Sequence, residues 1–176
     1  GEVAANLPGI PIEHAKFDLD LPQVVTAGIE QRLTPGLRVF GEVQWVDWSR
    51  FDGFAISFAS GRPTEMRPIE WKDTWVLAAG FGVSIGAASE LTAGISHDTA
   101  AAVNGSGTTL SADAAKTTIG IGLLHEVAGL GKLSLSYAHV IVHEAEVLAE
   151  NPASGRLAGK LDGRMETVGA SLTIPW

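Results

Sequence analysis

The sequence predicts an all-β chain: an antiparallel β-barrel that spans a membrane. Three observations predict it. Apolar residues recur at every second position along most of the chain, the period of a strand with two unlike faces. Short connections containing Gly or Pro alternate with long polar ones. Charged residues are 18% of the 176, below the roughly 25% of soluble domains, and no apolar run reaches the roughly 18 residues of a transmembrane helix.

Each element follows from that period. The first run covers about 16–33 and places Val25, Ala27, Ile29 and Leu33 on one face, with Thr26, Glu30 and Arg32 on the other. Thr34-Pro35-Gly36 is a tight-turn signal. The second run, 37–58, sets Leu37, Val39, Val43 and Trp45 against Arg38, Glu42 and Gln44. Runs at 70–84, 90–99, 116–127, 132–146 and 164–176 repeat the pattern, the last with Val168, Ala170, Leu172, Ile174 and Trp176 on the apolar side. Short connections fall near 34–36, 85–89 and 128–131, and long polar ones near 59–69, 99–115 and 147–163. Short turns at one end and long loops at the other describe an outer-membrane barrel.

The parity of charge decides what the apolar face meets. A charge on a lipid face costs about 2–4 kcal/mol at the midplane, and none of the apolar-parity residues named above is charged. The opposite parity carries Glu30, Arg32, Arg38, Glu42, Lys72 and Lys132 among many Gly, Ser and Thr, which suits a crowded or water-filled lumen. Glu30, Arg32, Arg38 and Glu42 form a mutually neutralising lumen network around the first turn. Trp45, Trp75, Tyr137 and Trp176 fall near strand ends, as membrane-interface aromatics do.

Seven runs make about seven to eight strands in one barrel unit over 1–176, with residues 1–15 as an extracellular loop. Bacterial single-chain barrels use even strand numbers, and an open sheet exposes two unpaired edges to lipid. The chain therefore reads as half of a larger barrel, unless residues 1–15 supply an eighth strand.

Several functions are excluded. A net charge of -8 with no basic patch argues against nucleic acid. The absence of Cys removes disulfides and Cys-based metal sites. His139 and His143 would stand about 13 Å apart along a strand, too far to share a metal. No nucleophile elbow, phosphate loop or dinucleotide fingerprint occurs in a suitable context, so neither enzyme chemistry nor a cofactor is expected.

Five segments in order carry a resemblance: "DLDLP" (18–22), "VQWVDWSRF" (43–51), "EWKDTWVLAAGFG" (70–82), "LTAGISHDT" (91–99) and the terminal "VGASLTIPW". Together they resemble the C-terminal half of FadL-type outer-membrane transporters of long-chain fatty acids and other hydrophobic compounds. The loop "HDTAAAVNGSGTTLSADAAK" departs from that family's pattern. The resemblance implies passive transport of hydrophobic small molecules across the bacterial outer membrane. It also implies a ligand head group held by basic residues and places one of them at Arg67; Lys72 has the inward parity for a second, and Phe54, Ile56 and Phe58 either line an apolar ligand groove or form the outer end of a strand. Its partners would be a fatty-acid-like ligand or lipid, and either the missing N-terminal half of the barrel or a second copy. Two alternatives stand beside it: a small structural or adhesive outer-membrane barrel, and a soluble lipid-binding β-domain with the opposite parity.

Overall fold

The computed structural model describes residues 2–4, 14–18, 21–51, 53–61, 63–103, 113–151 and 155–175. Its strands are β1 (Glu2–Ala4), β2 (His14–Asp18), β3 (Val24–Thr34), β4 (Leu37–Val46), β5 (Gly53–Phe58), β6 (Glu65–Pro68), β7 (Thr74–Ile85), β8 (Ser89–Asp98), β9 (Lys116–Val127), β10 (Gly131–Asn151) and β11 (Gly155–Thr173). Seven of them form one antiparallel sheet in the order β11-β10-β9-β8-β7-β4-β3. This is the all-β architecture that the period-2 runs predict, as an open sheet and not a closed barrel. A second sheet, in the order β1-β2-β5-β6, is built from the segments flanking β3 and β4 at the long-loop end.

The differences from the sequence runs have local causes. The run 16–33 is two strands, β2 ending at Asp18 and β3 beginning at Val24, with residues 21–23 outside any strand. The run 37–58 is also two, because the single 3-10 turn Trp48–Arg50 ends β4 and redirects the chain into β5. Part of the stretch 1–15, expected as loop, is the strand pair β1 and β2. β7 begins at Thr74, so the alternation does not reach Lys72. The polar stretch 147–163 continues the β10–β11 ladder up to Asn151↔Gly155, interrupted by one bulge between Val142 and Ala145. A second bulge, between Arg32 and Thr34, sets Thr34 opposite Leu37 beside the first turn, while Gln31 keeps the regular register opposite Val39 on the apolar face.

The sheet is curved, with unlike faces. Its convex side carries Val25, Ile29, Leu77, Ile95, Ile121 and Leu135, all exposed. Cross-strand register aligns them into continuous apolar rows, such as Ile29–Gly41–Ala79–Ile95–Ile119. Such a surface in water would be a very large apolar patch, whereas in lipid it is the band that an outer-membrane barrel presents. Val168, on β11, is 81% exposed on the same side.

The concave side is lined by small residues over which neighbouring side chains lie. A Cβ at Gly80 would meet Phe40 Cε2 at 2.4 Å, so the Phe40 ring occupies that glycine's slot across the β4–β7 pair. Phe40 thus covers backbone that glycine leaves bare. Thr92 reaches over Gly122 in the same way and donates to its carbonyl at 3.3 Å. Among the described residues the buried side chains are Val46, Phe51, Thr74, Ala101, Ala114 and Val140, and Val46, Thr74 and Ala101 share a hollow with the aromatic cluster described next.

Candidate functional site

The concave face has a polar floor near the short turns, a smooth middle and a walled mouth near the long loops. At the floor, Arg38 on β4 donates from one terminal nitrogen to Glu30 Oε2 at 2.8 Å, and from the other to Glu90 Oε1 at 2.5 Å. Its Nε also donates to Glu90 Oε1, at 3.1 Å. One guanidinium therefore ties β3 to β8 across four neighbouring strands, using the fork geometry that only arginine offers. It can do so because Gly82, directly beneath it, has no side chain in the way. Of the four charges predicted as a network, Glu30 and Arg38 pair directly. Arg32 stands opposite Arg38 in register. Glu42 makes no ion pair among the described residues. Glu90 is the member that sequence reasoning missed, because it lies on a strand remote in sequence.

The middle holds a hollow of about 400 Å³ lined by Ala78, Gly94, Ser96, Gly120 and Ala138. Gly, Ala, Ser and Thr make up most of its wall, with Phe40, Ile95, Ile121 and Tyr137 also contributing.

The mouth is the most structured part. Trp48 and Trp71 meet edge to face with centroids 4.8 Å apart, and Phe51 lies 5.0 Å from Trp71. Trp71 pairs with Ala102, and the Lys72 N–H donates to Ala101 O at 2.9 Å, tying the segment before β7 to the one after β8. Asp73 secures the 3-10 turn. Its carboxylate accepts the Ser49 N–H at 3.0 Å and the Trp45 indole N–H at 3.2 Å. The bond from Ser49 holds this carboxyl below the usual carboxylate range. Beneath lies a hollow of about 440 Å³ walled by Val24, Val46, Val76, Trp48 and Trp71, with Lys116, Asp98 and Asp113 at its far side.

The backbone register places the candidate ligand residues as follows. Phe58 stands opposite Ala15, and Arg67 opposite Phe54, both in the smaller sheet. Lys72 is exposed before β7. The cation that lines the hollow is Lys116, which the inward parity of β9 could have revealed. Trp45 and Trp75 stand opposite each other at the outer ends of β4 and β7. Tyr137 sits further inside, between Ile121 and Val168. Trp176 lies outside the described residues.

On the convex face near the outer rim, the Thr117 hydroxyl lies 3.0 Å from His97 Nδ1 and 2.8 Å from His143 Nε2. Only the β8–β9–β10 register brings these together. Among the described residues no group of three His, Cys, Asp or Glu is placed to hold a metal ion.

With this geometry in place, the comparisons decide the family. A family model described as "Outer membrane protein transport protein (OMPP1/FadL/TodX)" matches residues 4–175. The chain belongs to this family. The OMPP1/FadL/TodX family is one of bacterial outer-membrane transport proteins, not of enzymes. Among solved structures, the crystal structure of a Pseudomonas aeruginosa FadL homologue superposes with a TM-score of 0.69 at 22% identity, over 89% of this chain. That agreement establishes the barrel fold. The match covers 35% of the homologue, so the chain spans about a third of that structure's length. No curated protein matches the sequence significantly.

Proposed function

We propose that the barrel to which this chain contributes admits hydrophobic small molecules passively across the outer membrane. The mouth hollow carries this reading: apolar and aromatic walls stand at the entrance to a lumen floored by short side chains. An apolar compound leaving water gains about 25 cal/mol per Å² of surface it buries there, and the small-residue strip below offers a route with few obstacles. A long-chain fatty acid is one compound of this class, and its carboxylate would call on Arg67 and Lys72 beside the mouth, with Phe58 against its chain. Family membership supports the hydrophobic class as a whole.

The test is uptake of radiolabelled hydrophobic compounds by cells that lack their own such barrel and produce the full-length parent. Uptake above the empty-vector level, unaffected by a protonophore, is expected. Uptake equal to that of empty-vector cells for every apolar compound tried would defeat the proposal.

A further inference from the structure

The charges at the mouth narrow the ligand class. Lys116 is the one cation lining the hollow among the described residues, and it is already taken. Its ammonium lies 3.7 Å from Asp98 Oδ2, across the β8–β9 pair, and 3.7 Å from Asp113 Oδ1. Asp113 is fixed in turn by the Ala101 N–H, which donates to its other oxygen at 2.7 Å. Two carboxylates thus face one ammonium, and the hollow carries a net charge of about -1 on this count. The remaining polar groups there, Gln44, Thr74 and Thr99, are neutral. A ligand carboxylate would have to displace one of two tethered acids from the same lysine while being repelled by the other. A neutral ligand meets no such penalty and keeps the Val and Trp walls.

We propose that this mouth selects neutral hydrophobic compounds, hydrocarbons and their alcohols, over carboxylates. The inference rests on the transport reading above and specifies its substrate class. Lys116 then acts as a structural counter-ion that neutralises the Asp98–Asp113 pair, and not as a head-group receptor.

The test uses the full-length barrel in detergent at mildly alkaline pH. It measures the quenching of Trp48 and Trp71 fluorescence by two matched probes, a bromine-terminated dodecanol and the corresponding dodecanoate. The quench counted is the part that disappears in a Trp48→Phe, Trp71→Phe double variant. The alcohol is expected to bind about tenfold more tightly, the order of one uncompensated like charge at a partly exposed site. An Asp98→Asn, Asp113→Asn double variant should bring the carboxylate level with the alcohol. Its folding is checked independently by the mobility shift of unheated against boiled protein. Equal or tighter binding of the carboxylate to the unaltered protein would overturn the selectivity and leave the transport reading standing. A preference for the alcohol that the double variant leaves unchanged would overturn the role given to Asp98 and Asp113. Failure of both probes to bind would overturn the selectivity and the transport reading together.

Discussion

At the scale of single residues, two positions carry more than their size suggests. Gly80 is needed because a Cβ there would meet Phe40 Cζ at 2.6 Å and the Ala93 carbonyl oxygen at 2.7 Å. The first neighbour is a ring that can turn aside; the second is backbone in the ladder and cannot. Gly80→Ala should therefore destabilise the barrel by about 1–3 kcal/mol, and adding Phe40→Ala should recover only part of the loss. The midpoint of urea unfolding in detergent, followed for both variants, checks this. Asp73 is the second position. Its carboxyl titrates below the usual range because Ser49 and Trp45 donate to the charged form. A group whose folded value is lowered contributes stability that is complete above its unfolded value and is lost as pH falls through the folded one. The mouth should thus loosen on the acid side of the ordinary carboxylate range, seen as a change in Trp45 emission. Asp73→Asn should start from the loosened state and show no such acid transition.

At the scale of elements, the two faces of each strand answer to different solvents. Ile95 and Ser96 are neighbours on β8, one exposed on the convex side and one lining the mid-lumen hollow. Ile95→Arg should cost about 2–4 kcal/mol in bilayer stability, whereas Ser96→Arg, directed into the lumen, should change it by less than about 1 kcal/mol. Equal losses, measured by unfolding from lipid vesicles, would contradict the assignment of faces. Between elements, the Arg38–Glu90 contact joins β4 to β8 over the intervening strand. A cycle of Arg38→Ala and Glu90→Ala should give a coupling of about 1 kcal/mol, modest because both side chains keep a quarter of their surface in solvent. The seven strands of the large sheet were legible in the sequence because the period of two is a local property, visible in any window of eight or so residues. What was not legible depends on pairing. The β10–β11 ladder extends through the polar, Gly-containing residues up to Asn151 and Gly155 because each strand there has the other as partner. Glu90 beside Arg38, Lys116 between two aspartates, and the His97–Thr117–His143 chain each need a register that no single segment states.

At the scale of the whole molecule, the direction of the edge strands constrains how the barrel closes. β3 and β11 are the two edges, and both run from the long-loop end toward the short-turn end, since five antiparallel strands separate them. Joined to each other they would pair parallel. A second copy related by an axis along the barrel would bring β11 of one chain beside β3 of the other, again parallel, and parallel pairing is the weaker arrangement. An all-antiparallel barrel instead requires an odd number of additional strands between these edges. Bilayers do not tolerate open edges, because each unpaired N–H and C=O in hydrocarbon costs several kcal/mol. The isolated chain refolded into detergent should therefore show no difference in gel mobility between unheated and boiled samples. The same chain within its full-length parent, or mixed with the remaining strands as a separate polypeptide, should show the shift of a closed barrel. A shift from the isolated chain at the mass of one copy would mean that β3 and β11 close on each other. A shift at twice that mass would mean that two copies share parallel seams, and in either case the requirement for further strands would be wrong.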